Sequence, residues 1–356
     1  MQIEVLAADR LTPEHVAAWS HVLATEPALE SPFFRPEFTQ AVAAVRHDVE
    51  VAVLREDDRP VGFFPYQRQR GNVAVPVGGL LCDFQGLVVR RGASVDARQL
   101  LRGCGLAAWH FNHLLASQEP FRPYHSVTWE SPYMDLGGGF EAYRKSKHEA
   151  GRGTLAQAER KARKIAREIG PLRLVPHTCE RDVFELLMDW KVQQYRRIKA
   201  TNFLAPAWTV ALLERVWKTQ SPAFAGMLSV LYAGDRPAAL HLGMRAGGVL
   251  HVWFPAYDPA LAGYSPGLIL WLELARAAAA LGLRRIDLGK GQERYKASLQ
   301  SGASQLAEGS VDFRLVAGSL RRGWLCTREL VRASPLRRPG QAVLRYARHL
   351  FQPHSG

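Results

Sequence analysis

Cysteine is scarce in this chain. Cys82, Cys104, Cys179 and Cys326 are the four in 356 residues, and no two form a C-x-x-C pair. That spacing supports neither a zinc site nor a disulfide framework, so reduced thiols in a cytosolic compartment and no bound metal are expected. Long apolar runs are lacking too. The richest, Leu268 to Leu283, is broken by Glu273 and Arg276 and falls short of the roughly 20 residues needed to cross a bilayer. It reads as a buried helix. The opening residues, MQIEVLAADRLTPE, carry acids early and lack a basic stretch followed by an apolar one, which argues against a secretory leader.

What is present is an ordinary globular composition, 47% hydrophobic and 22% charged, in a chain long enough for two domains with separate cores. The net charge of +13 is unevenly placed. From Phe313 onward there are nine arginines (314, 321, 322, 328, 332, 337, 338, 345 and 348) against Glu329 alone. Charge concentrated in this way points to an anionic partner, whether a cytoplasmic leaflet, a nucleic acid or a phosphorylated substrate; a solvated helix that keeps the protein soluble is the plainer alternative. The expected location is cytoplasmic, with a peripheral place on the inner membrane face open through this tail.

Residues 53 to 75 recur 177 positions later. Val53, Leu54, Asp58, Arg59, Pro60, Arg68, Gly71 and Val75 match Val230, Leu231, Asp235, Arg236, Pro237, Arg245, Gly248 and Val252. Each copy reads as strand, polar turn, strand, glycine turn, strand. A period this long implies two domains of one kind, because solenoid repeats are far shorter. The first half reads as a strand at 2–8, helices from Thr12-Pro13 and over 36–46, and strands at 49–55, 60–69, 72–77 and 86–90. A helix over 94–109 capped by Ser94, strands at 111–115 and 127–135, and a glycine breaker at 137–139 complete it. Between the halves, TLAQAERKARKIAREIG predicts a helix capped by Thr154 with Gln157 and stopped by Gly170-Pro171. Its apolar face is Leu155, Ala158, Ala162, Ile165 and Ile169. Arg160, Lys164 and Arg167 line another face, either a cationic rail for a phosphate-bearing acceptor or RNA, or simply the solvated side. The second half repeats the order, with strands at 172–176, 227–233, 237–245, 249–254 and 285–288, helices at 180–198, 207–219, 267–281 and 293–299, and a last strand or pair at 306–315.

Two places could carry chemistry. In AGYSPG, Ser265 can cap a helix, Pro266 fills its first turn, and Gly263 and Gly267 admit a ligand to the backbone; helix N-termini favour anions. An ordinary capped helix would look the same. Further on, Asp287, Lys290, Tyr295 and Lys296 form the densest polar cluster, in which Lys296 could bind an acceptor or leaving group, or act as a base. A surface lysine would read identically. His241, His251 and Trp253 lie on paired strands, where a histidine is more often a core residue than a catalyst. Alternation puts His251, Trp253 and Pro255 on one face. No nucleophile elbow, H-E-x-x-H pair or Walker loop is present, which favours direct transfer over a covalent intermediate.

At HLGMR…HVWFPAYDPALAGYSPGLILW…LRRIDLGKGQERYKASL the chain resembles the CelD-like or BioF2-like acyltransferases, tandem GNAT proteins related to the Fem peptidyltransferases. The resemblance rests on Tyr257-Asp258-Pro259, Ser265-Pro266-Gly267, Asp287-Leu288-Gly289 and Tyr295-Lys296, extends to Asp83-Phe84-Gln85-Gly86, and covers roughly residues 30 to 315. It implies an α/β fold of two tandem GNAT-like domains with mixed central sheets. It implies acyl-CoA, acetyl-CoA in the simplest case, as co-substrate, gripped at Tyr257, Tyr264, Ser265 and Gly267. Lys296, with Tyr295, Asp287 and His241, would serve the chemistry, and Arg160, Lys164, Arg167 and Lys290 the acceptor. The usual GNAT pyrophosphate signature is missing, which leaves aminoacyl-tRNA open as donor. The first half has no YSPG loop and no Tyr-Lys pair, so it is expected to be a structural or acceptor-binding partner.

The expected domains are 1–140, a basic linker helix in 141–170, a catalytic domain at 171–316 and an arginine-rich helical tail at 317–356. The expected activity is transfer of an acyl group to an amine on a sugar precursor of a surface polysaccharide such as cellulose. A Fem-like transfer from aminoacyl-tRNA and a non-catalytic assembly factor at the membrane are the alternatives.

Overall fold

The structure, a computed structural model, describes residues 1–151, 153–291 and 293–333. In chain order the elements begin with β1 (Gln2–Ala7), α1 (Pro13–Thr25), α2 (Pro36–Ala43), β2 (Val49–Glu56), β3 (Arg59–Gln69), β4 (Val73–Val75) and β5 (Val88–Val89). Then come α3 (Ala97–Gly103), β6 (Ala108–Leu115), β7 (His125–Asp135), α4 (Gly139–Glu149), α5 (Thr154–Glu168), β8 (Leu172–Val175), α6 (Arg181–Ile198) and α7 (Ala207–Lys218). The chain continues through β9 (Ala225–Ala233), β10 (Arg236–Ala246), β11 (Val249–Tyr257), α8 (Pro266–Ala280), β12 (Arg285–Asp287), α9 (Arg294–Leu299), β13 (Gly302–Asp312) and α10 (Leu315–Ala333). This is a mixed α/β protein with a large mixed sheet.

Two compact units are present, and neither is a continuous stretch of sequence. One holds residues 1–7, 48–129 and 305 onward; the other holds 8–47 and 130–304. The sequence reading placed a boundary near residue 140 and kept the first two helices with the first half. Apolar contact decides otherwise: Phe33 packs edge-on against His251 at 4.8 Å and Trp253 at 6.0 Å, and Phe38 reaches Trp253 at 6.2 Å.

The repeat is real in three dimensions. β3 and β10 start and end 177 residues apart, each paired antiparallel to the strand before it, β2 or β9. The hairpin turns fall at the same place but differ in backbone: Asp57 and Asp58 both take positive φ in one, and Gly234 without Asp235 in the other, the two forms that tight two-residue hairpins use. Each meander leads through a helix into a parallel neighbour. Val73 and Ala74 of β4 pair with Ala108 and Trp109 of β6, while Val249, Leu250 and His251 of β11 pair with Arg285, Ile286 and Asp287 of β12.

Beyond those pairings the copies differ. In the first unit the chain leaves β4 at Val75 and folds Gln85 back beside β6, where the Gln85 N–H donates to the His113 carbonyl and its own carbonyl accepts from Leu115. Its side-chain oxygen accepts from the Asn112 and His113 N–H groups at 3.0 Å each, and its amide donates to the Cys82 carbonyl. The free edge of β6 is thus filled by its own chain. In the second unit β11 runs on from Val252 to Tyr257 after β12 has ended, which leaves a cleft in the sheet.

Two expected helices shift and one appears that was not expected. The helix anticipated over 94–109 is short, capped by Asp96 and not Ser94, because Gly103 and Gly105 end it and Trp109 already belongs to β6. α4, just past the glycine breaker, was not anticipated. α5 starts from Gly153 with no side-chain cap, so Thr154 is its first residue and not its N-cap. Its buried side chains are Leu155, Ala158 and Ile165, while Ile169 lies 40% exposed at the C-cap. Of the basic tail, Arg314 bonds Asp312 at 2.7 Å and Arg328 bonds Glu308 at 2.5 Å, both partners on β13. Arg337, Arg338, Arg345 and Arg348 lie outside the described residues. Among the described residues no helix is long and apolar enough to cross a membrane, and no cluster suits a metal.

Candidate active site

All the residues singled out for chemistry lie in the second unit, around α8. Tyr257 closes β11 and Asp258 caps the 3-10 turn Pro259–Tyr264 by accepting from the Ala260 N–H at 2.8 Å. Arg236 holds the same carboxylate, so the Asp-Arg-Pro turn of the repeat fixes the start of this loop. Ser265 then enters α8 with φ 57° and ψ 52°, and its side chain makes no capping bond. The left-handed backbone turns Ser265 away from the capping role that the sequence suggested, because side-chain capping goes with extended geometry. Pro266 has no N–H and Leu268 donates to the Ser265 carbonyl, so the Gly267 amide is the donor left at the helix mouth. Gly263 has open space on its side-chain face, whereas a Cβ on Gly267 would sit 3.7 Å from the Tyr257 ring.

α5 grips this loop. Lys161 donates to the Gly263 carbonyl at 2.6 Å, Tyr264 donates its hydroxyl to Glu168 at 3.0 Å, and the Lys164 ammonium lies 5.4 Å from the Tyr264 ring centre. Lys164 therefore lies against Tyr264 at the helix mouth and not with Arg160 and Arg167. Arg167 pairs with Glu168 at 2.9 Å and Arg160 is exposed; neither is recorded in contact with the loop. Lys161, which the sequence reading passed over, is the basic side chain that touches the loop backbone.

The second cluster follows β12. Asp287 is buried, 1% exposed, and ion-paired with Arg285, whose guanidinium also reaches Ser304 at 2.7 Å and covers the Tyr133 ring. Lys296 is 7% exposed. Its ammonium donates to the carbonyls of Gly289 at 3.3 Å and Lys290 at 3.0 Å and pairs with Glu293 at 3.2 Å. Three donors with three acceptors make it the clamp of the loop that follows β12. α4 secures the far end of α9: Tyr143 donates to the Leu299 carbonyl at 2.7 Å, and Lys147 to that of Gln300.

Aromatic contacts link this cluster to β10. The Tyr295 ring stacks on Trp271 of α8 at 6.3 Å, and Trp271 meets His241 edge-on at 5.7 Å. Burial first, then the nearby Glu293, raises the Tyr295 phenol above its ordinary range. His241 is fully buried, its ring against Gly243, and neither ring nitrogen finds a partner among the described residues. Burial, helped by His251, pulls its pKa down to about 3. It is a neutral core imidazole near neutral pH.

On the α6 side, a pocket is lined by Trp190, Gln193, Gln194 and Arg197 together with Tyr257 and Pro259. Beside it lies Lys191, 6% exposed. None of the α6 residues was foreseen as functional.

Residues 152–297 match the family model described as the acetyltransferase (GNAT) domain. The chain carries a GNAT acyltransferase domain. The matched residues include β11, the entry of α8 and β12. No curated protein matches the sequence. Solved structures share the fold. FemX aligns with TM-score 0.57 and 8% identity over 88% of this chain and 97% of its own. L-PGS from Bacillus licheniformis aligns with TM-score 0.54 and 11% identity over 88% and 96%. The C-terminal domain of a protein described as a lysylphosphatidylglycerol synthetase, from Agrobacterium fabrum, aligns with TM-score 0.53 and 13% identity over 87% and 95%.

Proposed function

We propose that this GNAT protein is an acyl-CoA-dependent N-acyltransferase of the CelD-like or BioF2-like kind, which acylates an amino group on a sugar-linked precursor of a surface polysaccharide. The observation that carries the reading is the cleft of the second unit: β11 continues six residues past its last pairing with β12, beside a helix mouth whose loop is held by Lys161 and Lys164. A strand edge with unpaired peptide groups offers hydrogen bonds to an extended amide chain such as a pantetheine arm, and the cations and helix terminus suit its phosphates. Lys296 holds the loop that borders this cleft, and Tyr257, Tyr264, Ser265 and Gly267 border the helix mouth. Purified full-length protein given acetyl-CoA and a panel of amino sugars is expected to release free thiol. No thiol with any acyl-CoA, together with no acetyl-CoA binding by calorimetry, would rule the reading out.

A second donor has its own support. Arg160, Arg163, Lys164 and Arg167 are all exposed on α5, and the fold is shared with FemX and with proteins named for lysylphosphatidylglycerol synthesis. Aminoacyl-tRNA in place of acyl-CoA predicts RNA that co-purifies and tRNA binding that weakens steeply with salt. Salt-insensitive behaviour with no bound RNA would exclude it.

A further inference from the structure

Lys191 stands on α6 in line with Val183, Leu187 and Tyr195, and is buried with them. Its ammonium meets two neutral oxygens, the Gln194 side chain at 3.0 Å and the Pro255 carbonyl at 3.2 Å. The Tyr195 and Phe254 rings lie 4.9 Å and 5.9 Å away. No carboxylate among the described residues pairs with it, and burial alone draws its pKa down to about 8. A buried ammonium without a counter-ion is costly. Loss of its proton removes that cost.

Its two partners place it at the reaction. Pro255 belongs to the stretch of β11 that borders the cleft, and Gln194 lines the pocket with Trp190, Arg197 and Tyr257. An acceptor amine is largely protonated near neutral pH and becomes a nucleophile only after losing that proton. Other candidates are engaged elsewhere: Asp287 by Arg285, Lys296 by the loop carbonyls and Glu293, His241 by burial within the core.

We propose that Lys191 takes the proton from the acceptor amine, and that the acceptor, an amino sugar bearing a phosphate, lies across the shallow mouth of the adjoining pocket. Trp190 and Tyr257 offer faces to a sugar ring, Gln193 and Gln194 bond hydroxyls, and Arg197 meets the phosphate. The assignment rests on the acyl-CoA reading above. Neutral Lys191 accepts one proton from the acceptor ammonium. The freed nitrogen lone pair forms the C–N bond at the thioester carbonyl, the C–S bond breaks with its electron pair going to sulfur, and the surplus proton on nitrogen passes to the thiolate. Lys191 then returns its proton to solvent.

The groups facing Lys191 leave its titration to itself. On α6 these are Gln194 and the Tyr195 phenol, pushed up to about 12 by burial and so neutral; on β11 Phe254 and Pro255 carry no charge. Arg197 lines the adjoining pocket. For the full chain with acetyl-CoA and glucosamine phosphate, kcat/KM is expected to rise with pH through about 8. Lys191→Met should lower kcat about 100-fold, abolish that acidic limb, and bind acetyl-CoA within about twofold of wild type. Lys191→Arg should be as slow, because a guanidinium cannot accept the proton. An active wild type whose acidic limb persists in Lys191→Met overturns the assignment alone. A wild type inert toward every amine that also binds no acetyl-CoA overturns the reading beneath it. NMR titration of the reductively 13C-methylated protein checks the amine without turnover: the signal missing from Lys191→Met should titrate near about 8, and an ordinary lysine midpoint refutes the proposal.

Discussion

Ser265 holds a left-handed backbone that costs a residue with a side chain about 1 kcal/mol, and its hydroxyl recovers none of this by capping. Glycine adopts that conformation freely. Ser265→Gly is therefore expected to raise stability by about 0.5–1 kcal/mol, net of the entropy glycine adds to the unfolded chain, in urea unfolding. A loss of stability would show that serine makes a compensating contact. His241 tests burial in the other direction. Its folded pKa of about 3 lies below the unfolded value of 6.5, so the folded state excludes a proton that the unfolded chain accepts. Stability from this group is full above 6.5 and is lost as the pH falls toward 3, at up to about 1.4 kcal/mol per pH unit. Urea midpoints between about pH 7 and pH 5 should fall more steeply for wild type than for His241→Leu; equal slopes would mean that the imidazole is already paired. Among single residues, the sequence made Lys296 and Ser265 conspicuous because both sit in short motifs. Lys191 was legible in another way that went unread: a lysine on the apolar stripe of an amphipathic helix, at four-residue spacing from Leu187 and Tyr195. What sequence could not show is that no acid comes to meet it, because that depends on β11, some 64 residues away.

At the scale of elements, Gln85 shows how one side chain closes a strand edge. Removing its amide leaves the half-buried Asn112 and His113 N–H groups without their acceptor, and each unsatisfied donor costs about 1–3 kcal/mol when shielded from water. Gln85→Ala should destabilise the protein by about 2–4 kcal/mol in urea unfolding while leaving acetyl-CoA affinity intact. A variant as stable as wild type would mean that water replaces the amide. The strands were largely legible, because Asp-Arg-Pro or glycine turns bound their apolar runs, although burial on both faces leaves little alternation in them. Helix ends were less so: Ser94 and Thr154 have capping chemistry, yet Asp96 and Gly153 occupy those positions, since cap identity depends on where the backbone turns. α4 was hidden behind three glycines, one of which, Gly139, begins the helix with φ 83°. Its apolar side, Phe140 and Tyr143, is too short to announce a period by itself.

For the whole molecule, a duplication by itself would allow two equivalent binding sites, but the first half lacks the YSPG loop and the Tyr-Lys pair, and the two units differ in structure as well. Corresponding hairpins lead to a parallel strand pair in both, and then Gln85 fills the edge of one while β11 stands open in the other. The helix that follows each meander differs in the same sense. α3 begins from Asp96, whose carboxylate accepts from the Gln99 N–H at 2.7 Å and brings a negative charge to the place where a phosphate would lie. α8 begins from a serine that caps nothing. Both differences disfavour an anionic thioester donor in the first unit and favour one in the second. Titration calorimetry with acetyl-CoA should accordingly give one equivalent bound per chain, with the signal lost when Lys161 and Lys164 are both changed to glutamate and kept in Gln85→Ala. Two equivalents of comparable affinity would show that the first unit opens its edge in solution, and the division of labour inferred from Gln85 would fall with it.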